Sequence, residues 1–360
     1  MKEVVNIDDL RGKIDSIDHQ LLKLLNERME LVKTIGNIKK TTNASIYRPE
    51  REKAIIDRLT SDSKGMLDKG AIEAIFLEIF AVSRNIELPE KVAYLGPEGS
   101  FTHQAAEARF GAMGEYISLK TIQSVFEAVN TERVRFGIIP IENNQQGMVS
   151  DTINVLCDYD INIVAEVPMP IQFSFASKNE NIKTIKKVYS KDIAFKQCGK
   201  FVDEYFDKSV ELIPVDSTSK ASKLASLEEN SAAICSHIAA KMYHLPILFH
   251  NIEDSPDNYT RFLIISKNFN NVSSGNDKTT ILVKLSNDNE PGSLASFLQG
   301  FHENGINLTK IESYPAKEGK DFKYWFLVEF EGHKDDEKVK VIMEDPLITV
   351  KWLGSYPKFC

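Results

Sequence analysis

Cysteine is scarce. The four present, Cys157, Cys198, Cys235 and Cys360, are scattered, with no pair at metal-ligand spacing. They are expected to be reduced thiols of a cytoplasmic protein. A basic excess is missing too. Lys and Arg number 44 against 52 Asp and Glu, a formal net charge of -8, which excludes nucleic acid as an expected partner. No apolar run approaches the roughly 18 residues of a membrane span, so no membrane partner is expected. The opening MKEVVNIDDLRG lacks the apolar centre of a secretory signal. There is no P-loop, no GxGxxG and no His/Cys cluster, so neither cofactor nor metal is expected.

What is present exceeds one ordinary core. At 360 residues the chain suits two or three domains. Residues 1–90 are helical in pattern. Residues 91–267 alternate β-rich runs with helical patterns, and 278–360 repeat that alternation on a smaller scale. Between them Asn268–Asp277, NFNNVSSGND, is polar and marks a boundary.

The stretch Gly137–Val149, GIIPIENNQQGMV, is the most telling. An apolar run, Phe136–Ile141, ends in Glu142, Asn143, Asn144, Gln145 and Gln146. It predicts a buried strand whose carboxyl end carries one acid and a fan of amides. Ligands of open α/β sheets sit beyond such ends, and amides both donate and accept. A small polyoxygenated ligand fits; so does a plain polar loop after a core strand.

In the first block, Leu10, Ile14, Ile17, Leu21, Leu24, Leu25, Met29, Val32, Ile35 and Ile38 recur at helical spacing. The helix, capped by Asp8 or Asp9, is predicted to run to about Lys40, roughly 45 Å. A block of this size cannot bury so long a stripe, so the helix is expected to pair with a copy of itself. Arg28 and Lys39 are eleven residues apart, which places them within about 20° and ~16 Å of each other. Both can reach one small anion. Arg11 lies ~25 Å before Arg28 and about 100° round the helix. It can join them only from the partner of an antiparallel dimer. Spacing alone also allows that all three are solvated charges. A second helix follows Pro49 and carries Arg51 and Glu52. A third, about Asp68–Ile86, ends near Glu87.

The order Arg11, Arg28, Lys39, Arg51–Glu52 on three helices resembles the all-helical chorismate mutase domain, an intertwined dimer. The resemblance implies that the partner's Arg11, Arg28 and Arg51 grip the two carboxylates of chorismate, Lys39 faces the ether oxygen and Glu52 takes the hydroxyl. Arg48 stands where some relatives have an acid and is left out of that set. Glu87 falls near a position where relatives place a glutamine that donates to the ether oxygen. A glutamate donates only when protonated, so mutase activity is expected to rise on acidification.

In the middle block, strand Val92–Leu95, turn Gly96–Gly99 and helix Ser100–Arg109 form an anion site with the hydroxyls of Ser100 and Thr102. Further strands are predicted at Phe136–Ile141, Ile161–Pro168, Gln172–Ala176, Val188–Ser190, Val210–Val215, Ala232–Cys235 and Arg261–Ser266. Helix Phe195–Phe206 carries Gln197, and Ser217, Thr218 and Ser219 cap helix Lys220–Leu227. The motifs GPEGSFTHQAA, PIEN, YS…QC, DSTSKA and NYTRF stand in the order found in prephenate dehydratases. This resemblance implies a two-lobed, periplasmic-binding-protein-like α/β fold. Thr260 and Arg261 would lie at the catalytic centre, with Glu142, Asn143, Ser190, Gln197 and Ser217–Ser219 lining the cleft. Thr260 is expected to donate to the departing hydroxyl, or alternatively a protonated Glu142, while Arg261 pairs with a substrate carboxylate. Lys191–Asp192 replaces the His-Pro that relatives often carry.

The third block reads βαββαβ, a ferredoxin-like α+β layer. EPGSLASFL, GINLTKIESYP and GSYP resemble the ACT regulatory domain of prephenate dehydratases. By that resemblance Gly292, Ser293, Leu294, Asn307, Leu308, Glu312 and Ser313 would bind L-phenylalanine at a dimer interface. Tyr314 replaces an arginine that most relatives carry there.

The expectation is thus a multidomain chain: an all-α three-helix chorismate mutase domain (1–90), a two-lobed dehydratase domain (91–267) and an ACT domain (278–360). It would convert chorismate to prephenate and prephenate to phenylpyruvate under feedback by L-phenylalanine, as a homodimer or higher homo-oligomer. Two rivals remain. One is a ligand sensor without catalysis; the other is a dehydratase whose helical block has decayed into a dimerisation arm.

Overall fold

The computed structural model describes residues 6–42, 48–87, 91–112, 114–286, 290–315 and 324–358. Cys360 lies outside them.

The first block is α1 (Ile7–Thr42), α2 (Pro49–Asp62) and α3 (Lys69–Glu87). Pro49 opens α2, where its missing N–H costs nothing. Within the single chain α1 stays largely bare. Leu10, Ile14, Ile17, Leu21 and Leu24 are each 44–60 % exposed. Only the second half of the helix meets α3, and there Val32 is buried.

The middle block has two lobes. Lobe 1 comprises β1 (Lys91–Leu95), α4 (Phe101–Phe110), β2 (Glu115–Leu119), α5 (Ile122–Asn130), β3 (Phe136–Asn143), β4 (Gly147–Met148), α6 (Ser150–Asp158) and β5 (Asn162–Pro170). Lobe 2 comprises β6 (Ser174–Ala176), β7 (Lys187–Ser190), α7 (Asp192–Gln197), α8 (Gly199–Tyr205), β8 (Glu211–Pro214), α9 (Thr218–Leu227), β9 (Ser231–Cys235), α10 (His237–Met242) and β10 (Ile247–Phe249). The chain then returns to lobe 1 as β11 (Tyr259–Ser266). The sheets run β2-β1-β3-β11-β5, with β4 on β3, and β10-β6-β9-β7-β8. Two passages, after β5 and before β11, join the lobes.

The expected single helix Phe195–Phe206 is instead two. Asp254 accepts from the N–H groups of Gly199 (3.1 Å) and Lys200 (3.0 Å), starting a new helix there.

The third block is β12 (Asp277–Leu285), α11 (Ser293–Glu303), β13 (Leu308–Pro315), β14 (Tyr324–Glu331), α12 (Glu337–Met343) and β15 (Ile348–Pro357), in sheet order β13-β14-β12-β15. It docks on lobe 1. Leu282, Leu327, Leu353 and Tyr356 share one core with α5, β3 and β11. The polar stretch before β12 is tied down: Asn271 is buried and donates to the carbonyls of Val164 (2.8 Å) and Ser355 (2.9 Å), one in each domain.

Candidate active sites and regulatory cavity

In the helical block the apolar stripe of α3 turns polar in its last turns, at Ser83, Arg84 and Glu87. These face a cavity of about 440 Å³ with Arg28, Lys39, Arg48, Arg51 and Glu52. Five cations thus meet two carboxylates. Arg28 donates to Ser83 Oγ (2.5 Å) and Lys39 to Glu87 Oε2 (2.8 Å). Burial, then the nearby Arg51, lower the Arg28 pKa from its ordinary value, with Glu87 partly offsetting them. Surplus positive charge in a half-closed pocket favours a small dianion. Arg28, Lys39, Arg51, Glu52 and Glu87 are therefore brought together. Arg11 is not: it is exposed on α1 and paired with Asp8 at 3.3 Å. Arg48, excluded at first, lines the pocket and also pairs with Glu50. Glu52 is buried, and its two oxygens meet Arg84 and, at 3.3 Å, Arg109 of the next domain. Ser83 and Arg84 were missed. Their signal was the continuation of the Phe76–Ile79–Phe80 stripe into polar residues.

In the middle block β3 and β11 pair antiparallel, with Thr260 opposite Asn143 and Arg261 opposite Glu142. A register shift next to Arg261 leaves Ile141 as an extra residue on β3. Side chains alternate across a strand, so Thr260 and Arg261 face opposite sides of the sheet, and the bulge decides which of these sides Glu142 and Asn143 each share. Asn143 joins Thr260 on the α4 face, while Glu142 and Arg261 turn to the third domain. Asn143 Nδ2 donates to Thr260 Oγ1 (3.0 Å) and to Asn258 Oδ1 (2.8 Å). Its carbonyl oxygen accepts from the N–H groups of Gln145 and Gln146, both at 3.0 Å, which fixes the amide's orientation.

The expected placement of Arg261 and Glu142 in the cleft is therefore corrected. Arg261 donates to Glu142 (2.9 Å), Glu166 (3.1 Å) and Glu329 (2.8 Å), and Lys278 and Lys310 complete a cluster of three cations and three acids between the domains. Burial lowers the Arg261 pKa, but Glu329, then Tyr356 and Glu166, outweigh it and hold the guanidinium charged. Burial raises the Glu142 pKa, yet Lys310 and Arg261 outweigh it and hold the carboxyl below its ordinary value. A protonated Glu142 is thus a poor alternative to Thr260 as the donor.

Ser190 is also corrected. It is fully buried and donates to Ile234 O (2.7 Å) inside lobe 2. Ser100 caps α4, accepting from His103 N at 3.2 Å, and Thr102 is buried in its first turn. Ser217 caps α9, accepting from Lys220 N at 3.0 Å. Ser219, buried at the start of α9, meets the turn before α4: a Cβ on Gly99 (φ +77) would lie 2.9 Å from Ser219 Oγ. Ser236 Oγ donates to Gly99 O (2.6 Å), so the lobes touch here. Thr218 is half-buried beside Ser219, and Gln197 ends α7 half-buried, its carbonyl accepting from Asp254 N at 2.7 Å.

In the third block Gly292 (φ +94) and Ser293 line a cavity of about 230 Å³ with Leu285, Glu290, Phe297 and Asp345. Leu294 packs into the domain core instead. Asn307 and Leu308 stand at the start of β13 and Glu312 and Ser313 along it, on the edge strand and not in that cavity. Tyr314 packs into the core shared with lobe 1.

Fold and pockets together define a modular enzyme for small anionic substrates with an attached regulatory domain. The family model for chorismate mutase type II matches residues 10–88, that for prephenate dehydratase 92–270 and that for the ACT domain 280–340. A bifunctional chorismate mutase/prephenate dehydratase of Aquifex aeolicus is 41% identical over 359 residues, covering 98% of each chain. One from Pseudomonas aeruginosa is 39% identical over 97% of each. The crystal structure of an Arthrobacter aurescens prephenate dehydratase in complex with L-Phe superposes with a TM-score of 0.65 at 30% identity, over 74% of this chain and 90% of that one. The chain belongs to the bifunctional chorismate mutase/prephenate dehydratase family and carries both activities on one polypeptide.

Proposed function

We propose that the cation-lined cavity between α1, α2 and α3 rearranges chorismate and that the cleft beside Thr260 dehydrates the resulting prephenate. The observation that carries the first part is the excess of five cations over two acids in one pocket. The rearrangement is pericyclic and needs no nucleophile. Holding the reactive conformer and stabilising charge on the breaking ether oxygen is enough. Arg28 and Arg51 grip carboxylates, Lys39 faces the ether oxygen and Glu52 takes the hydroxyl. The partner's Arg11 closes the site in an antiparallel dimer, a reading supported by the bare apolar stripe of α1.

In the second reaction the C–CO₂ bonding pair moves into the ring, and the ring hydroxyl leaves with a proton as water. Asn143 donates to Thr260 Oγ1, so the threonine's own hydrogen is directed away from Asn143 and toward the leaving hydroxyl. The N-terminus of α4, with Ser100, suits a substrate carboxylate. L-Phenylalanine is the effector. It binds at Gly292 and Ser293, and a second copy supplies the edge-strand residues Asn307, Leu308, Glu312 and Ser313.

Chorismate supplied to the purified chain, with prephenate and phenylpyruvate followed over time, tests this reading. Phenylpyruvate should form and be suppressed by L-phenylalanine. Turnover of supplied prephenate alone would leave the helical block a dimerisation arm, and no turnover of either would favour a sensor.

A further inference from the structure

The cavity between α1, α2 and α3 is lined by residues of the helical block, but one of its lining carboxylates is backed by the next domain. Glu52 is buried, and its carboxylate is shared by Arg84 of α3 and by Arg109 of α4, the latter from the dehydratase domain. Both arginines are also buried. Arg84 Nη2 donates to Arg109 O (2.9 Å), at the C-terminal end of α4, where a helix favours a cation. The Arg84 guanidinium also lies over the Phe110 ring, 5.7 Å from its centroid. The two helices are pressed together at this point: a Cβ on Gly111 would fall 2.1 Å from Ala81 Cβ. Glu52 and Arg84 line the cavity, whereas Arg109 stands behind them.

We propose that Arg109 is a positioning residue of the mutase reaction, supplied by the dehydratase domain. It fixes the Glu52 carboxylate from behind without touching substrate. The inference rests on the reading that Glu52 receives the hydroxyl of chorismate. Arg84 hydrogen-bonds one carboxylate oxygen, while Arg109 Nη2 stands 3.3 Å from the other as an ion pair without hydrogen-bond geometry; a second guanidinium charge on that oxygen opposes rotation of the carboxylate about the Arg84 bond. The same ten-residue helix carries Ser100 at its other end, so each active site borrows from one rigid element.

The test is a double-mutant cycle in the full-length chain, with Arg109→Gln, Glu52→Gln and both together. Arg109→Gln should lower mutase kcat/KM at least tenfold and leave turnover of supplied prephenate within twofold. The double variant should be no worse than Glu52→Gln alone, because Arg109 acts only through Glu52. Losses that multiply would overturn the inference, as would full mutase activity in Arg109→Gln. Unimpaired mutase activity in Glu52→Gln would overturn the reading of Glu52 on which it rests. If Arg109→Gln loses both activities, Arg109→Lys replaces it in the cycle. Lysine keeps the charge but gives up the planar fork, so mutase activity should fall partly, again without adding to the loss in Glu52→Gln.

Discussion

Two clusters of charge, one within the helical domain and one between the dehydratase and ACT domains, differ in balance. The cavity of the helical domain is lined by five cations and two carboxylates. The cluster between the dehydratase and ACT domains holds Arg261, Lys278 and Lys310 against Glu142, Glu166 and Glu329, three of each. Even with Arg48 paired to Glu50 the first cluster keeps a positive surplus, which suits an anionic ligand. A balanced cluster satisfies itself and works as a joint. Sequence motifs did not separate the two, since Arg261 sits in a motif as suggestive as any in the mutase block.

Removing a cation should therefore have different consequences in the two clusters. Arg28→Ala should cut mutase kcat/KM by about 10²–10³-fold and leave dehydration of supplied prephenate unchanged. Within the dehydratase cleft Thr260→Ala should cost about 10²-fold, with Thr260→Ser retaining most activity. Arg261→Met should act mainly on stability. It leaves Glu142, Glu166 and Glu329 without their shared partner, a loss on the order of 3–5 kcal/mol. Phenylalanine inhibition should weaken with it, because the joint links the regulatory sheet to the strand that carries Thr260. If Arg261→Met instead abolished dehydratase turnover with an unchanged melting temperature, the joint reading would fail and the arginine would return to the active site. Smaller again is Glu87→Gln. A neutral amide donates at any pH, so mutase activity at neutral pH should rise a few-fold and any acid-favoured profile should flatten.

How far these clusters were legible follows from what sets them. The eleven-residue step from Arg28 to Lys39 is a property of one helix, and the periodicity of α1 shows it directly. The βαββαβ order of the ACT domain is likewise local. Glu142 was misplaced because a single bulged residue, Ile141, reverses the parity of the end of β3; Arg261 follows Thr260 on β11, and strand alternation alone turns the two to opposite faces. Nothing in PIEN marks that bulge. Ser190 reads as a cleft residue until its hydroxyl is seen spent on Ile234 O. Arg109 had no local signal at all. It reaches Glu52 across 57 positions, and only the packing of α4 on α3 joins them.

The finest test of the comparison is acid. In the folded chain Lys310 and Arg261 hold Glu142 below its ordinary pKa despite its burial. A depressed folded value stabilises the protein only while the carboxyl is ionised in both states. That contribution is complete above the unfolded pKa of about 4.3 and is lost as pH falls through the lower folded value. The difference in melting temperature between wild type and Glu142→Gln should thus be constant from about pH 7 to 5 and shrink below about 4.3. A difference that persisted at lower pH would mean that Glu142 holds the joint by hydrogen-bond shape rather than charge. The balance of three and three would then say nothing about how the regulatory domain is held.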